Sequence, residues 1–301
     1  MKYRTGVALV VVAGILWSCQ GLIFRQIDTA GTWAVLFWRS VGMLPVLLIY
    51  QAIRHQGRAF NGFAETGFAG VLGGIGLVGA FGGAIYAIQS TTIANAVFLF
   101  TASPFVAAIL GWILLGERVR PWTLAAIGLA VVGMYLMVRE GLAMGALAGN
   151  IAALLSAVGF GAFSVALRWG RLADMLPVSM LGGVFSVLAA GGVLLALGEP
   201  VVVSGRDMAI SAGIGAVILA LGMVMYTLGS KIIPAAELTL LSLIEVLLAP
   251  LWVFLLLGET ASAATFVGGG VLLAAVALNA VMGARAQMHS DGGGLRKPPD
   301  L

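Results

Sequence analysis

Long apolar runs, parted by short polar breaks, repeat along the whole chain. A helix that crosses a bilayer needs roughly 20 apolar residues. Ten such runs fit, at about 6–24, 32–52, 66–88, 92–115, 121–138, 147–167, 176–197, 208–229, 235–257 and 262–283, with ends uncertain by ~2–4 residues. Breaks at Arg54-His55-Gln56-Gly57-Arg58, Gly116-Glu117-Arg118 and Gly198-Glu199-Pro200 separate neighbouring runs. The breaks at Gln89-Ser90-Thr91-Thr92 and Gly229-Ser230-Lys231 are so short that spans three and four, and spans eight and nine, are expected to form tight hairpins. The pattern predicts an all-α membrane protein of ten transmembrane helices.

Composition agrees. The chain has 301 residues, 61% hydrophobic and 9% charged, with a mean hydropathy of +1.08. Soluble domains carry about 25% charged residues, so this chain lacks the polar groups to clothe a surface in water, and membrane lipid is the expected partner of that surface. The ten spans leave no room for a soluble domain. Residues 285–301, with Gly292-Gly293-Gly294 and Pro298-Pro299, read as a disordered cytoplasmic tail. The single cysteine, Cys19, allows no internal disulfide. Lys2 and Arg4 precede a first run longer than a signal-peptide core, which therefore reads as an uncleaved span.

Orientation follows from the loop cations. With the N-terminus in the cytoplasm, twelve Lys and Arg fall inside and three, Arg25, Arg139 and Arg206, fall outside. Arg39 lies within span two. Both termini are then cytoplasmic, and the expected location is a bacterial inner membrane. The net charge of +4 comes from these loops and does not imply nucleic acid.

The two halves resemble each other. Glu117 and Glu259, each after a glycine at the end of an apolar helix, are 142 residues apart. Arg25 and Arg168, each at the end of a span, are 143 apart, and the same shift sets Trp17 on Phe160 and Gly14 on Ala157. The units are 1–140 and 141–284. Five spans per unit is an odd number, so the second copy is inserted upside down. Inverted repeats of this kind build secondary transporters.

The landmarks around Trp17, Phe37-Trp38-Arg39, Ser103-Pro104-Phe105, Leu115-Gly116-Glu117-Arg118 and Leu257-Gly258-Glu259 resemble the drug/metabolite transporter superfamily, and within it the EamA-type ten-helix carriers. The subgroup with the nearest overall similarity is the YddG-type amino-acid exporters. That family often has Glu-Pro in span nine, whereas here Glu245 is followed by Val246 and the proline is Pro250. The resemblance implies a basket of helices around a central cavity, with spans five and ten at the periphery, and export as the direction of transport.

Pathway candidates are the groups that are costly or adaptable inside a membrane. A charge there is rare and needs a partner or water. Glu245, near the middle of span nine, is expected to pair with Arg39, bind a substrate amine or carry a coupled proton. Neutral polar and aromatic candidates are Trp17, Gln20, Trp38, Tyr86, Asn95, Phe98, Thr101, Phe160, Phe163, Ser164 and Tyr226. Amides and hydroxyls can hold a zwitterion, and aromatic walls tolerate varied apolar groups. Pro45, Pro104 and Pro250 lie inside spans and are expected to kink them. Span three carries Gly70, Gly73, Gly74, Gly76, Gly79, Gly82 and Gly83, suited to close helix packing.

No enzyme is expected. The only histidines, His55 and His289, lie in a loop and the tail, and no GxxxxGK[ST] phosphate loop is present. No cofactor or metal is expected. The expected function is a secondary transporter, acting as a monomer, that moves a small-molecule substrate such as an aromatic or other neutral amino acid out of the cell by alternating access. The alternatives are a carrier of nucleosides, nucleotide sugars or drug-like compounds, or a channel.

Overall fold

The computed structural model describes residues 3–60, 62–143, 146–172, 174–231, 233 and 235–293. Among them the chain is helical throughout, with ten spans. These are α1 (Tyr3–Phe24), α2 (Thr32–Arg54), α3 (Phe63–Ser90), α4 (Ile93–Leu115), α5 (Pro121–Ala143), α6 (Leu147–Trp169), α7 (Leu176–Leu197), α8 (Gly205–Gly229), α9 (Ala235–Leu257) and α10 (Ala263–Gly293). Nine are long and apolar enough to cross a membrane, and α9 contributes the apolar run Leu241–Leu257. The protein is a multi-pass membrane protein. The tight α3–α4 hairpin forms, with only Thr91 and Thr92 between its helices. The last helix runs on to Gly293, into the segment read as a disordered tail; residues 294–301 lie outside the described residues.

Four spans are not regular, and in one of them, α3, the backbone leaves helical geometry at Gly67 with a φ of 50°. Helix α1 breaks at Cys19 and α4 at Thr101–Ala102, with Pro104 in the first turn of the segment that follows. Helix α8 widens into a π-helical stretch over Ile214–Ala220. Helices α2 and α9, by contrast, continue through Pro45 and Pro250 without a break. Of the three prolines, only Pro104 therefore sits at an interruption. It stands where its missing N–H has no helical partner to lose.

The packing obeys a twofold relation between the halves. Helix α1 packs on α8 and α9, α6 on α3 and α4, α3 on α7, α8 on α2, α2 on α7, and α5 on α10. Exchanging each helix for the one five places along maps these principal pairs onto themselves.

Polar contacts sort the helix ends into two poles. At the first pole the ends of α1 and α9 meet the α3–α4 turn, through Arg25, Glu259, Ile88 and Thr91. At the second, the end of α6 meets the end of α4 through Arg168 and Glu117, and the end of α2 meets the start of α7 through Arg54 and Asp174. Equivalent helices therefore run in opposite directions, and the repeat is inverted.

The Gly-Glu landmarks have the same local geometry in both copies. Gly116 and Gly258 adopt φ of 67° and 68°, the left-handed region that stops a helix and favours glycine. The next N–H then folds back, Glu117 to the Gly111 carbonyl at 3.2 Å and Glu259 to the Val253 carbonyl at 3.4 Å. The turn aims each glutamate at the neighbouring repeat.

A buried carboxylate fixes the α1–α2 turn. Asp207 is fully buried near the start of α8 and accepts hydrogen bonds from the N–H groups of Asp28, Thr29 and Ala30 and from the Thr29 hydroxyl. Ser204 caps the same helix by accepting from the Asp207 N–H at 3.1 Å. Asp207→Asn turns one acceptor into a donor that faces other donors. It is expected to cost about 1–2 kcal/mol, read as a lower unfolding temperature in detergent; an unchanged temperature would refute the role.

Candidate functional site

The helical faces that turn inward enclose one central cavity of about 310 Å³. On α3 the lining positions are Ala80, Phe81, Ala84 and Ile88, and on α6 Ala153, Ser156, Phe160 and Phe163. Both sets follow the three-and-four spacing of one helix face. The broken segments add Trp17 and Gln20 from α1, and Phe100, Thr101 and Pro104 from α4. Met223 and Tyr226 come from α8, Ser242 and Glu245 from α9, and Arg39 from α2. Val276 is the contribution of α10, and α5 supplies no lining residue, in keeping with peripheral positions for both.

Aromatic rings form two clusters in this wall. Trp17 and Tyr226 stand 5.4 Å apart between centroids. Phe160 lies 5.4 Å from Phe100 and 5.5 Å from Phe163. Among the described residues the cavity presents one cationic side chain, Arg39, and one carboxylate, Glu245. Neither belongs to any of the four ion pairs found among the described residues. The Arg39–Glu245 pair weighed from the sequence does not form. A charged group within a membrane protein that lacks an internal partner is a hypothesis of function.

Of the residues chosen from the sequence, Trp17, Gln20, Thr101, Phe160, Phe163, Tyr226, Glu245 and Pro104 come together at this cavity. The rest stand elsewhere for identifiable reasons. Trp38 donates its indole N–H to the Val201 carbonyl at 2.8 Å, between α7 and α8. Tyr86 is 42% exposed, on the face of α3 opposite the Phe81–Ala84–Ile88 row. Ser164 lies beside the inward row of α6 and donates to the Phe160 carbonyl of its own helix. Phe98 packs against Gly269 of α10, where an added Cβ would meet its ring. Asn95 belongs to a buried network near the first pole, donating to Asn150 at 3.1 Å and accepting from Thr265 at 2.8 Å. Pro45 lies within α2 and Pro250 within α9, neither at the central cavity.

At the first pole an ion pair joins the helix ends. Arg25 grips Glu259 with two donors, Nε at 2.9 Å and Nη2 at 3.2 Å. Its Nη1 also donates to the carbonyl of Ile88, a cavity-lining residue, and Nη2 to that of Thr91. Glu259 accepts in turn from the Ile93 N–H at the start of α4. One ion pair thus ties α1, α3, α4 and the end of α9.

At the second pole Arg168 pairs with Glu117 at 2.6 Å and donates to the Ala107 carbonyl. This pair is looser, with side chains 43% and 39% exposed against 27% and 23% for Arg25 and Glu259. Each arginine of one repeat pairs with the Gly-Glu glutamate of the fourth helix in the other.

Residues 4–139 match the EamA-like transporter family. An uncharacterized transporter of Archaeoglobus fulgidus is 28% identical over 290 residues, covering 91% of this chain and 95% of that protein. The pseudopaline exporter CntI of Pseudomonas aeruginosa is 29% identical over 168 residues, 55% of this chain and 57% of that protein. A solved crystal structure shares the fold with a TM-score of 0.65 at 19% identity, covering 93% of this chain and 99% of its own. The Archaeoglobus and Pseudomonas relatives carry the names of a transporter and an exporter, and they do not single out the YddG-type amino-acid exporters.

Proposed function

We propose that the chain, whose residues 4–139 match the EamA-like transporter family, is a membrane transporter that exports a small amino-acid-like metabolite by alternating access through the central cavity. The observation that carries this reading is an aromatic-walled chamber that holds, among the described residues, a single carboxylate with no ion-pair partner. Such a chamber suits a compact organic cation or zwitterion, whose apolar part rests on Trp17, Tyr226 and Phe160 while its ammonium group meets Glu245. The name of CntI, a pseudopaline exporter, favours export as the general task.

In this reading the first pole faces out and the second faces the cytoplasm, as the loop cations favour. The two crossed ion pairs are then the closures of the two sides. The inverted repeat lets the copies exchange conformations, so that one pair opens while the other holds.

Uptake of labelled neutral and aromatic amino acids into proteoliposomes tests the proposal. Saturable uptake of at least one is expected, and Glu245→Gln is expected to lower it about tenfold, the cost of one charge-assisted contact. Competition by nucleosides or drug-like compounds but by no amino acid would move the substrate class, and normal transport by Glu245→Gln would remove the carboxylate from the mechanism.

A further inference from the structure

Arg39 is 1% exposed and lines the cavity, yet its Nε and Nη2 have no hydrogen-bond partner. Buried donors are paired in nearly all folded proteins, and an orphan calls for an explanation. The rest of the side chain is held in place. Its Nη1 donates to Gln20 Oε1 at 3.5 Å, and its guanidinium carbon lies 4.6 Å from the centroid of the Phe81 ring. The guanidinium thus touches α1 and α3, while the Nε–Nη2 edge of the fork is buried without a hydrogen-bond partner.

The same molecule shows what that edge binds. In Arg25 it is Nε and Nη2 that grip the two oxygens of the Glu259 carboxylate. Arg39 carries the identical pair of donors, buried and unpaired, on a side chain that lines a cavity of metabolite size. We infer that Arg39 is the carboxylate anchor of the transported substrate, which docks side-on across Nε and Nη2.

This rests on the amino-acid reading above and adds a rule of selection. The cavity then requires a planar oxyanion at the Arg39 end and tolerates variation along the aromatic wall. A carboxamide satisfies one donor and sets its own N–H₂ against the other, so an amide analogue is rejected although its shape is nearly the same. Lysine at this position keeps the charge but not the two-pronged geometry.

The test is competition against labelled L-phenylalanine bound to the purified full-length chain in detergent, with L-phenylalanine and L-phenylalaninamide as competitors. In the wild type the amide is expected to compete about 20-fold less well, the effect of one frustrated buried donor. In Arg39→Gln the phenylalanine affinity is expected to fall to that of the amide, so that the ratio approaches one. Arg39→Lys is expected to lie between them, and if Arg39→Gln fails to fold, the lysine variant and the wild-type ratio decide. Binding of phenylalanine without discrimination in the wild type, or a ratio that survives Arg39→Gln, overturns the anchor alone. Absence of phenylalanine binding to the wild type overturns the amino-acid reading and the anchor with it.

Discussion

Arg25→Ala is expected to slow transport about 30-fold, the equivalent of roughly 2 kcal/mol lost from the state closed at the first pole. The change deletes two contacts to Glu259 and the donors to the Ile88 and Thr91 carbonyls. Hydrogen bonds to charged groups contribute about 1.5–3 kcal/mol each, so the estimate is a lower one. Glu259→Ala is expected to act similarly, and the double variant to be little worse than either, because both remove one interaction. Arg168→Ala is expected to have a smaller effect, since its pair is more exposed and contacts fewer helices. Initial rates in proteoliposomes measure all four. A wild-type rate in Arg25→Ala would show that the pair does not close the pole.

Gly215→Val is expected to abolish folded protein, at a cost of at least about 3 kcal/mol, the upper end for overpacking. A Cβ on Gly215 would run into the carbonyl of Arg39, and one on Gly42 into the carbonyl of Ala212. These are contacts with backbone, which cannot swing aside as a flexible side chain can. Helices α2 and α8 would have to separate along the π-helical stretch, and Arg39 would lose its setting. Gly79→Val is the control, because nothing lies within 4 Å of a Cβ there. Monodisperse yield in detergent is expected to vanish for the first and persist for the second. Equal yields would show that the close approach is not required.

The contrast between these glycines shows why part of the structure was legible and part was not. The ten spans follow from apolar length alone, and the inverted repeat follows from an odd number of spans per copy together with Arg25, Arg168, Glu117 and Glu259 at one offset. The pairing of those same residues was hidden. Each bond crosses from one repeat to the other, and Arg25 and Glu259 lie 234 positions apart, which no local pattern encodes.

Glu245 and Gln20 stand out in the sequence because polar groups are rare in a membrane, and both line the cavity, as do the aromatic residues Trp17, Phe160, Phe163 and Tyr226. Candidates were misassigned when rotation about the helix decided the outcome. Phe81 points inward and Tyr86 outward on one helix, and an apolar helix with lipid on one side and protein on the other offers little contrast to fix its rotation. The break of α1 at Cys19 carries no proline to announce it. Asp207 did have a signal, in the Ser204-Gly205-Arg206-Asp207 spacing of a helix cap, and the structure adds its second use as the clamp on the α1–α2 turn.

Carrier behaviour itself is tested most directly by counterflow. Proteoliposomes holding the full-length chain are preloaded with unlabelled L-phenylalanine and diluted into a trace of the labelled compound. An alternating cavity with crossed closures is expected to give a transient accumulation of label above equilibrium that saturates with external concentration. Linear, non-saturating entry that internal substrate does not accelerate would contradict it and mark an open pore.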